Sequence, residues 1–459
     1  MKQIKQDILN GPIYKQILLL FYPILFGTFF QQLYNTVDAI IVGNYVGKIA
    51  LGAVGGSTGT LINLLVGFIT GLSSGATVVV AQYYGKRDPY SVNNSVKTGM
   101  FLAILLGAVM MFIGIVLAPS LLTLTNVPDS MYTYALQYMR IYFAGLIPSM
   151  IYNMGAGVLR AIGDSKRPLY FLIVGCFTNI ILDILFVRVF NMAVAGAALA
   201  TIISQLVSCI LTLISLKHTD DCYHYVLKDT AFEKNLLIMI LTIGLPTGLQ
   251  SVMYTVSNIF IQSTVNGFGE NTIAAWTAFG KIDAIFWMFS PAVGTACMTV
   301  AGQNFGAGKM NRVKKTVFQG ILIHLFGTAI ISSCCYFFGE YALRLFTSDS
   351  DVINIGFTIL RYLAPTWLTF VLVEIMSSCI RACGDSLVPM IFTAVCICGF
   401  RIVYLIVVST NTILEVLKCY PLSWIIASVV FLIYYLSGLW LKICLKKKSV
   451  NQREQSALD

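Results

Sequence analysis

Charge is scarce in this 459-residue chain, where Asp, Glu, Lys and Arg together supply 11% of the residues and hydrophobic residues 57%. Soluble domains carry about a quarter of their residues as charges, so a water-soluble globular fold is excluded. An all-α polytopic membrane protein is expected instead. Histidine is rarer still, at three residues, and neither H-E-x-x-H nor C-x-x-C occurs. A helical zinc hydrolase, a zinc ribbon and a dithiol redox motif are thereby unsupported. Most of the twelve cysteines, such as Cys176, Cys297 and Cys398, lie within apolar runs, where a thiol behaves as a small hydrophobe. The loop holding His218, Asp220, Asp221, Cys222 and His224 has metal-type ligands without a recognised spacing. No metal site or resident cofactor is expected, and no enzymatic nucleophile–base pair is evident. No short apolar run followed by a small-residue cleavage site precedes the first hydrophobic segment, so a cleaved leader is not expected.

What is abundant is apolar sequence in lengths that fit a bilayer, for which about 20 residues suffice. Twelve such segments fall near 15–45, 52–82, 95–118, 133–159, 168–188, 193–216, 236–263, 273–303, 315–339, 353–380, 388–409 and 420–442. If they alternate across the membrane, Lys2, Lys5, Lys86, Arg87, Lys166, Arg167, Lys217, Lys309, Arg312, Lys446 and Lys447 share one side, while the other holds chiefly Lys48, Arg188, Arg344 and Lys418. This bias predicts a plasma (bacterial inner) membrane protein with both termini in the cytosol. It also accounts for the net charge of +10 without a nucleic-acid partner.

Several phrases occur twice in one register. Gln82 and Gln303 stand 221 residues apart (303 − 82 = 221), within A-Q-Y-Y-G and G-Q-N-F-G. The phrase Arg160-Ala-Ile-Gly-Asp-Ser-Lys-Arg-Pro168 returns at the same displacement as Arg381-Ala-Cys-Gly-Asp-Ser-Leu-Val-Pro389, as do Arg140 in Arg361 and Phe171 in Phe392. A constant register implies duplication. The chain then divides into an amino-terminal six-helix lobe, 1–217, a cytosolic linker, 218–234, a second six-helix lobe, 235–445, and a polar tail, 446–459. Six spans per half give a parallel repeat, an arrangement in which transporters bind substrate between halves that rock against each other. In the repeated phrase, Gly163 and Gly384 suit helix stops, Asp or Ser can cap the next helix, and Pro168 and Pro389 fall in its first turn.

Charges inside the spans are few. Between Lys15 and Lys48 the only one is Asp38, with Gln31 and Asn35 on its helical face and Pro23 a candidate bend toward the helix start. Between Arg167 and Arg188 the only one is Asp183, with Asn179 one turn before it. Counting about 1.5 Å per residue puts both acids in the outer half of the bilayer. An isolated anion there costs at least a few kcal/mol, so two carboxylates brought together would share a proton or hold a monovalent cation; the alternative is that Asp38 is satisfied by a neighbouring helix. In the second half the candidates are Lys281, Asp283, Glu374 and Arg401. A buried structural network and a substrate-cation site are both open for these four. Tyr34, Met253, Tyr254, Trp287 and Met288 could line a cleft for varied ligands.

The doubled R-A-x-G-D-S-x-x-P phrase, A-Q-Y-Y-G, G-Q-N-F-G, L-Y-N-T-V-D-A-I-I-V-G and the twelve-span count together resemble the multidrug and toxic compound extrusion (MATE) family over 13–442, closer to its DinF-like prokaryotic branch. The resemblance implies two lobes around a central cleft, and a monomer that exports amphipathic, usually cationic compounds by proton or sodium antiport. It also implies a cation or proton site made by Asp38, Asn179, Asp183 and Thr201, with Asn153 and Tyr138 near it. NorM-like members carry an acid in the seventh helix, where this chain has none between Leu236 and Gly269 and offers Asn258 and Gln262 as polar candidates. The alternative function is a lipid or oligosaccharide-lipid flippase of the same superfamily.

Overall fold

A computed structural model describes residues 7–125, 127–408 and 411–456 of the chain. Lipid offers backbone groups no hydrogen-bond partner, so a chain this apolar satisfies them within helices, and no strand occurs among the described residues. The spans are α1 (Ile13–Tyr45), α2 (Lys48–Lys86, interrupted at Gly56), α3 (Pro89–Leu124), α4 (Asp129–Ala144 with Leu146–Ala161), α5 (Lys166–Val189), α6 (Ala193–Lys217), α7 (Lys234–Asn266), α8 (Glu270–Gly306), α9 (Met310–Arg344), α10 (Ser350–Ala382), α11 (Leu387–Val407) and α12 (Ile413–Leu436). A final helix, α13, covers Leu439–Ser456. Eleven are long and apolar enough to cross a bilayer as they stand, and α4, bent by 50°, makes the twelfth. Phe112, Phe326, Phe337 and Ile433 are among the many large apolar side chains left exposed, as a surface facing acyl chains requires.

The duplication is visible in the backbone. Left-handed residues recur at Arg87 and Gly308, and at Gly163 and Gly384, both pairs in the register of the repeated phrases. The fourth helix of each half is also interrupted at matching places, by the bend at Gly145 in α4 and by a 3-10 turn, Trp367–Phe370, in α10. Gly163 and Gly384 end their helices with positive φ (+95° and +100°), but the aspartates after them diverge. Asp164 caps α5 by accepting from the Lys166 and Arg167 N–H groups and pairs with the Arg167 side chain. Asp385 is buried instead, accepting from the Tyr434 hydroxyl at 2.9 Å and pairing with Lys447 of α13 at 3.4 Å.

The described residues form two compact units. One runs from Tyr22 to Gly248; the other joins Asp7–Phe21 to the chain from Leu249 onward. The boundary therefore falls inside α1, beside Pro23, and inside α7, two residues past Pro246. Both helices continue through their prolines, which each remove one helical hydrogen bond and mark a point of bending.

Within the second unit, residues 8–11 are clasped by the α8–α9 turn. Arg312 Nη2 donates to the carbonyls of Ile8 (2.9 Å) and Gly11 (2.7 Å), and Lys309 Nζ donates to Leu9 O (3.0 Å) and Asn10 Oδ1 (2.8 Å). Arg312→Ala removes bonds from a charged donor worth roughly 1.5–3 kcal/mol each at most. Amide hydrogen exchange over 8–12 should therefore accelerate by at least about tenfold, a change of ~1.4 kcal/mol. Unchanged exchange would show that the Lys309 bonds and buried Ile8 hold the segment without Arg312.

Within the first unit, the linker is tied down rather than free. Asn93 Nδ2 donates to His224 O (2.8 Å), the Glu233 N–H to Thr98 Oγ1 (3.1 Å), and Arg167 to Ser215 Oγ and Tyr223 OH (2.9 and 2.8 Å). At the start of α3, Asp88 accepts from the Ser91 N–H and hydroxyl and pairs with Lys86. Partial burial pushes its carboxyl up, and those Ser91 and Lys86 contacts outweigh it, holding the group below the usual carboxylate range. The cap's contribution is thus complete above the unfolded pKa of about 3.9 and is lost only as pH falls through the lower folded value. Asp88→Ala should cost about 1 kcal/mol, read as a drop in thermal midpoint of the same size from pH 5 to 8.

Candidate cation site

α1 carries Gln31, Tyr34, Asn35 and Asp38 toward its second end; Asp38 is buried, Gln31 and Tyr34 half-buried, and Asn35 exposed. α5 carries Asn179 and Asp183, both fully buried. Asp183 is the last α-helical residue before a π-helical turn, Ile184–Val189, a local widening often found at functional positions. The fold brings the two acids within electrostatic reach of each other, and Tyr138 of α4 within reach of both. Tyr138 stacks on Tyr142 at 6.3 Å and belongs to an apolar cluster with Ile41, Val42, Ile62, Val187 and Val194. Tyr34 lies beside Asp38, within hydrogen-bonding range of Gln31 and of Gln205 from α6.

The hydrogen bonding sets these residues apart. Asp38 Oδ1, both Asp183 oxygens, and the Asn179 amide oxygen and nitrogen are buried with no hydrogen-bond partner among the described residues. No salt bridge reaches either acid there. Buried polar groups are normally satisfied, and a carboxylate left without hydrogen bonds or a counter-charge in an apolar setting is costly. Two acids and one amide in this state can share a proton or collect a monovalent cation, which would supply the missing positive charge.

Two residues tied to the site by resemblance each donate within their own helix. Thr201 is buried, but its hydroxyl donates to Ala197 O of its own helix at 3.1 Å; Asn153 Nδ2 donates to Ser149 O at 2.9 Å, again within its helix. In the second unit Asn258 is exposed, and Gln262 is engaged by Asn266 and the Trp276 indole (2.8 and 2.9 Å). Lys281 is exposed. Asp283 accepts from Trp287 Nε1 at 2.9 Å, and Glu374 from Ser378 Oγ at 3.3 Å. The four candidate charges of that unit thus separate: Asp283 lies within electrostatic reach of Arg401, whereas Glu374 faces Arg381.

Gln205 escaped the sequence reading although it stands one turn after Thr201 in an otherwise apolar run, which is the signal that could have found it. The stretch Gly71-Leu-Ser-Ser-Gly75 has the G-x-S-x-G spacing of a serine nucleophile. It lies mid-helix, however, and the Ser73 hydroxyl donates to Ile69 O at 2.9 Å. Among the described residues no group of three or more His, Cys, Asp or Glu could hold a metal ion. His324 is buried with both ring nitrogens engaged, by Ser290 (2.8 Å) and Thr328 (3.0 Å).

Repeated halves of membrane-spanning helices, with paired buried acids in the first, define a polytopic membrane protein of the duplicated, two-lobed type. The chain belongs to the MatE family, whose profile matches residues 23–185 and again 246–407. Among curated relatives, the probable multidrug resistance protein YpnP of Bacillus subtilis is 31% identical over 83% of this chain and 85% of its own length. The probable multidrug resistance protein NorM of Thermotoga maritima is 25% identical over 96% and 95%. Solved structures share the fold. A MOP superfamily transporter of Pyrococcus furiosus, described by the reversed polarity of its binding pocket, superposes with a TM-score of 0.88 at 23% identity, covering 96% of this chain and 99% of that one. An outward-facing multidrug resistance MATE family transporter gives 0.87 at 24% identity, covering 95% and 97%.

Proposed function

We propose that this chain is a secondary active multidrug exporter of the plasma membrane, with both termini cytosolic, that exchanges protons or sodium ions for amphipathic, often cationic compounds by alternating access. The curated relatives named for multidrug resistance support the export of drugs. The coupling rests on one observation: five buried polar atoms of Asp38, Asn179 and Asp183 that lack a hydrogen-bond partner among the described residues. Ionised, the two acids repel each other and pay for their burial, so an entering cation gains on both counts. Neutralisation lets α1 bend at Pro23 and repack, and the empty carrier releases the cation on the cytosolic side. The moving bodies in this reading are the two compact units, whose boundaries fall inside α1 and α7 and which the lobes 1–217 and 235–445, joined by 218–234, approximate.

Reconstituted vesicles test it directly. With pH and sodium gradients imposed separately, dye efflux should follow one of them and stop when it is collapsed. Efflux at equal rates with neither gradient present would overturn the proposal.

A further inference from the structure

Two acids within the spans of the second unit, Asp283 and Glu374, each lie within electrostatic reach of an arginine of the same chain, with no ion pair to it among the described residues. Arg401 is 2% exposed, and its guanidinium carbon stands 4.2 Å from the Tyr420 ring centre and 5.5 Å from that of Trp424. Its Nε donates to Ser423 Oγ at 3.0 Å, while Nη2 has no hydrogen-bond partner among the described residues. The guanidinium is thus held mainly by ring faces. Asp283, on α8, takes the Trp287 indole N–H at 2.9 Å, and Tyr420 lies within electrostatic reach of both Asp283 and Arg401. Aromatic contacts continue the enclosure: Phe286 on Trp367 at 5.0 Å, Trp287 on Phe370 at 5.2 Å, and Phe370 on Trp424 at 5.7 Å. Glu374 is served separately, within electrostatic reach of Arg381, whose Nη2 is held by Ser377 Oγ (3.0 Å) and Gln250 Oε1 (3.3 Å).

Aromatic faces beside a carboxylate are what proteins use to bind quaternary ammonium and guanidinium ligands. We propose that Arg401 is a tethered cation occupying an organic-cation site formed by Asp283, Tyr420 and Trp424, and that it thereby confines cation exchange to the first unit. The second clause rests on the coupling role proposed above for Asp38 and Asp183; the first does not. A ligand attached to its own site competes at an effective concentration in the millimolar range or above, so a soluble cation of similar affinity leaves it in place below that concentration. The repeat register supports separate origins for the two arrangements. A shift of 221 residues sets Asp38 against Ile259, Asp183 against Tyr404, and Arg401 against Ile180, so neither charge set recurs at the matching positions of the other half.

The test is binding of methylguanidinium to the purified full-length protein, followed by intrinsic tryptophan fluorescence and by thermal midpoint, with urea at equal concentration as the uncharged control. Wild type should give no saturable response. Arg401→Ala should give a saturable one and a raised midpoint, weakened at least about tenfold, a difference of ~1.4 kcal/mol, when Asp283→Asn is added. A folded Arg401→Ala that does not respond, or a wild type that responds equally, overturns the proposal. Should Arg401→Ala fail to fold, a charge cycle decides. Arg401→Gln with Asp283→Asn must recover the yield or midpoint lost in Arg401→Gln alone, and a double variant no better than the single overturns it. Asp38→Asn leaves this readout untouched, so a failure here is distinct from a failure of the coupling role.

Discussion

Asp38→Asn should weaken the dependence of efflux on the imposed gradient by roughly 5- to 150-fold while leaving the folded protein at least as stable as wild type. The two halves of this expectation come from the same fact. Asp38 Oδ1 is buried and receives no hydrogen bond among the described residues, so the substitution breaks no bond through that atom. It removes a group whose ionised form costs on the order of 2.5–3.5 kcal/mol at membrane depth. The thermal midpoint in detergent should stay or rise. Transport loses much of its drive, because an ion can bias a conformational equilibrium only through the difference in its affinity for the two states. Such coupling is commonly about 1–3 kcal/mol, roughly 5- to 150-fold, and the gradient-driven rate should fall by a factor in that range. Asp183→Asn should behave alike, and the double variant should be little worse than either single one, since the pair acts as one binding unit. Wild-type gradient response in folded Asp38→Asn vesicles would remove the carboxylate from the mechanism.

Gly75→Leu should be the most damaging packing change in the first unit. A Cβ at Gly75 would lie 2.3 Å from Ile240 O and 2.8 Å from Gly244 N, and one at Gly71 would lie 2.5 Å from Gly248 N and Cα. The obstacles are backbone atoms of α7, which cannot rotate away as a side chain can. Small residues on facing helices are how membrane proteins bring backbones this close. Overpacking costs about 1–3 kcal/mol or more, and each kcal/mol moves a midpoint by roughly 2–4 °C for a unit of this size. A loss of roughly 5 °C or more is expected in a detergent thermal-shift assay. Gly280→Ala is the control, because nothing lies within 4 Å of a Cβ built there, and its midpoint should hold.

Spans and duplication were legible because they rest on local signals: apolar runs of bilayer length, and a phrase repeated in register. Asp38 and Asp183 were legible for the opposite reason, as lone charges in runs that tolerate none cheaply. What the sequence could not convey depends on which helices meet. Thr201 Oγ1 and Asn153 Nδ2 each donate to a carbonyl four residues back, a local bond such side chains can make that residue type and spacing alone do not reveal. The neighbours of Arg401 come from α8 and α12, and no spacing rule links Asp283 to Tyr420 or Trp424. The breaks at Gly145 and Trp367–Phe370 sit beside Pro148 and Pro365, local breakers, whereas the π turns Ile184–Val189 and Thr393–Gly399 beside Asp183 and Arg401 carry no such mark. Nothing in the apolar runs around them distinguishes a widened turn from an ordinary one.

The units change over inside α1 and α7 rather than in the linker, and this bears on how the protein can be taken apart. A cut at the linker would leave the leading fragment without the first turns of α7, and the trailing one without residues 7–21. Neither product would be self-sufficient, and each would carry a sticky helix end whose natural socket is on the other. Fragments made this way should be recovered only when produced together.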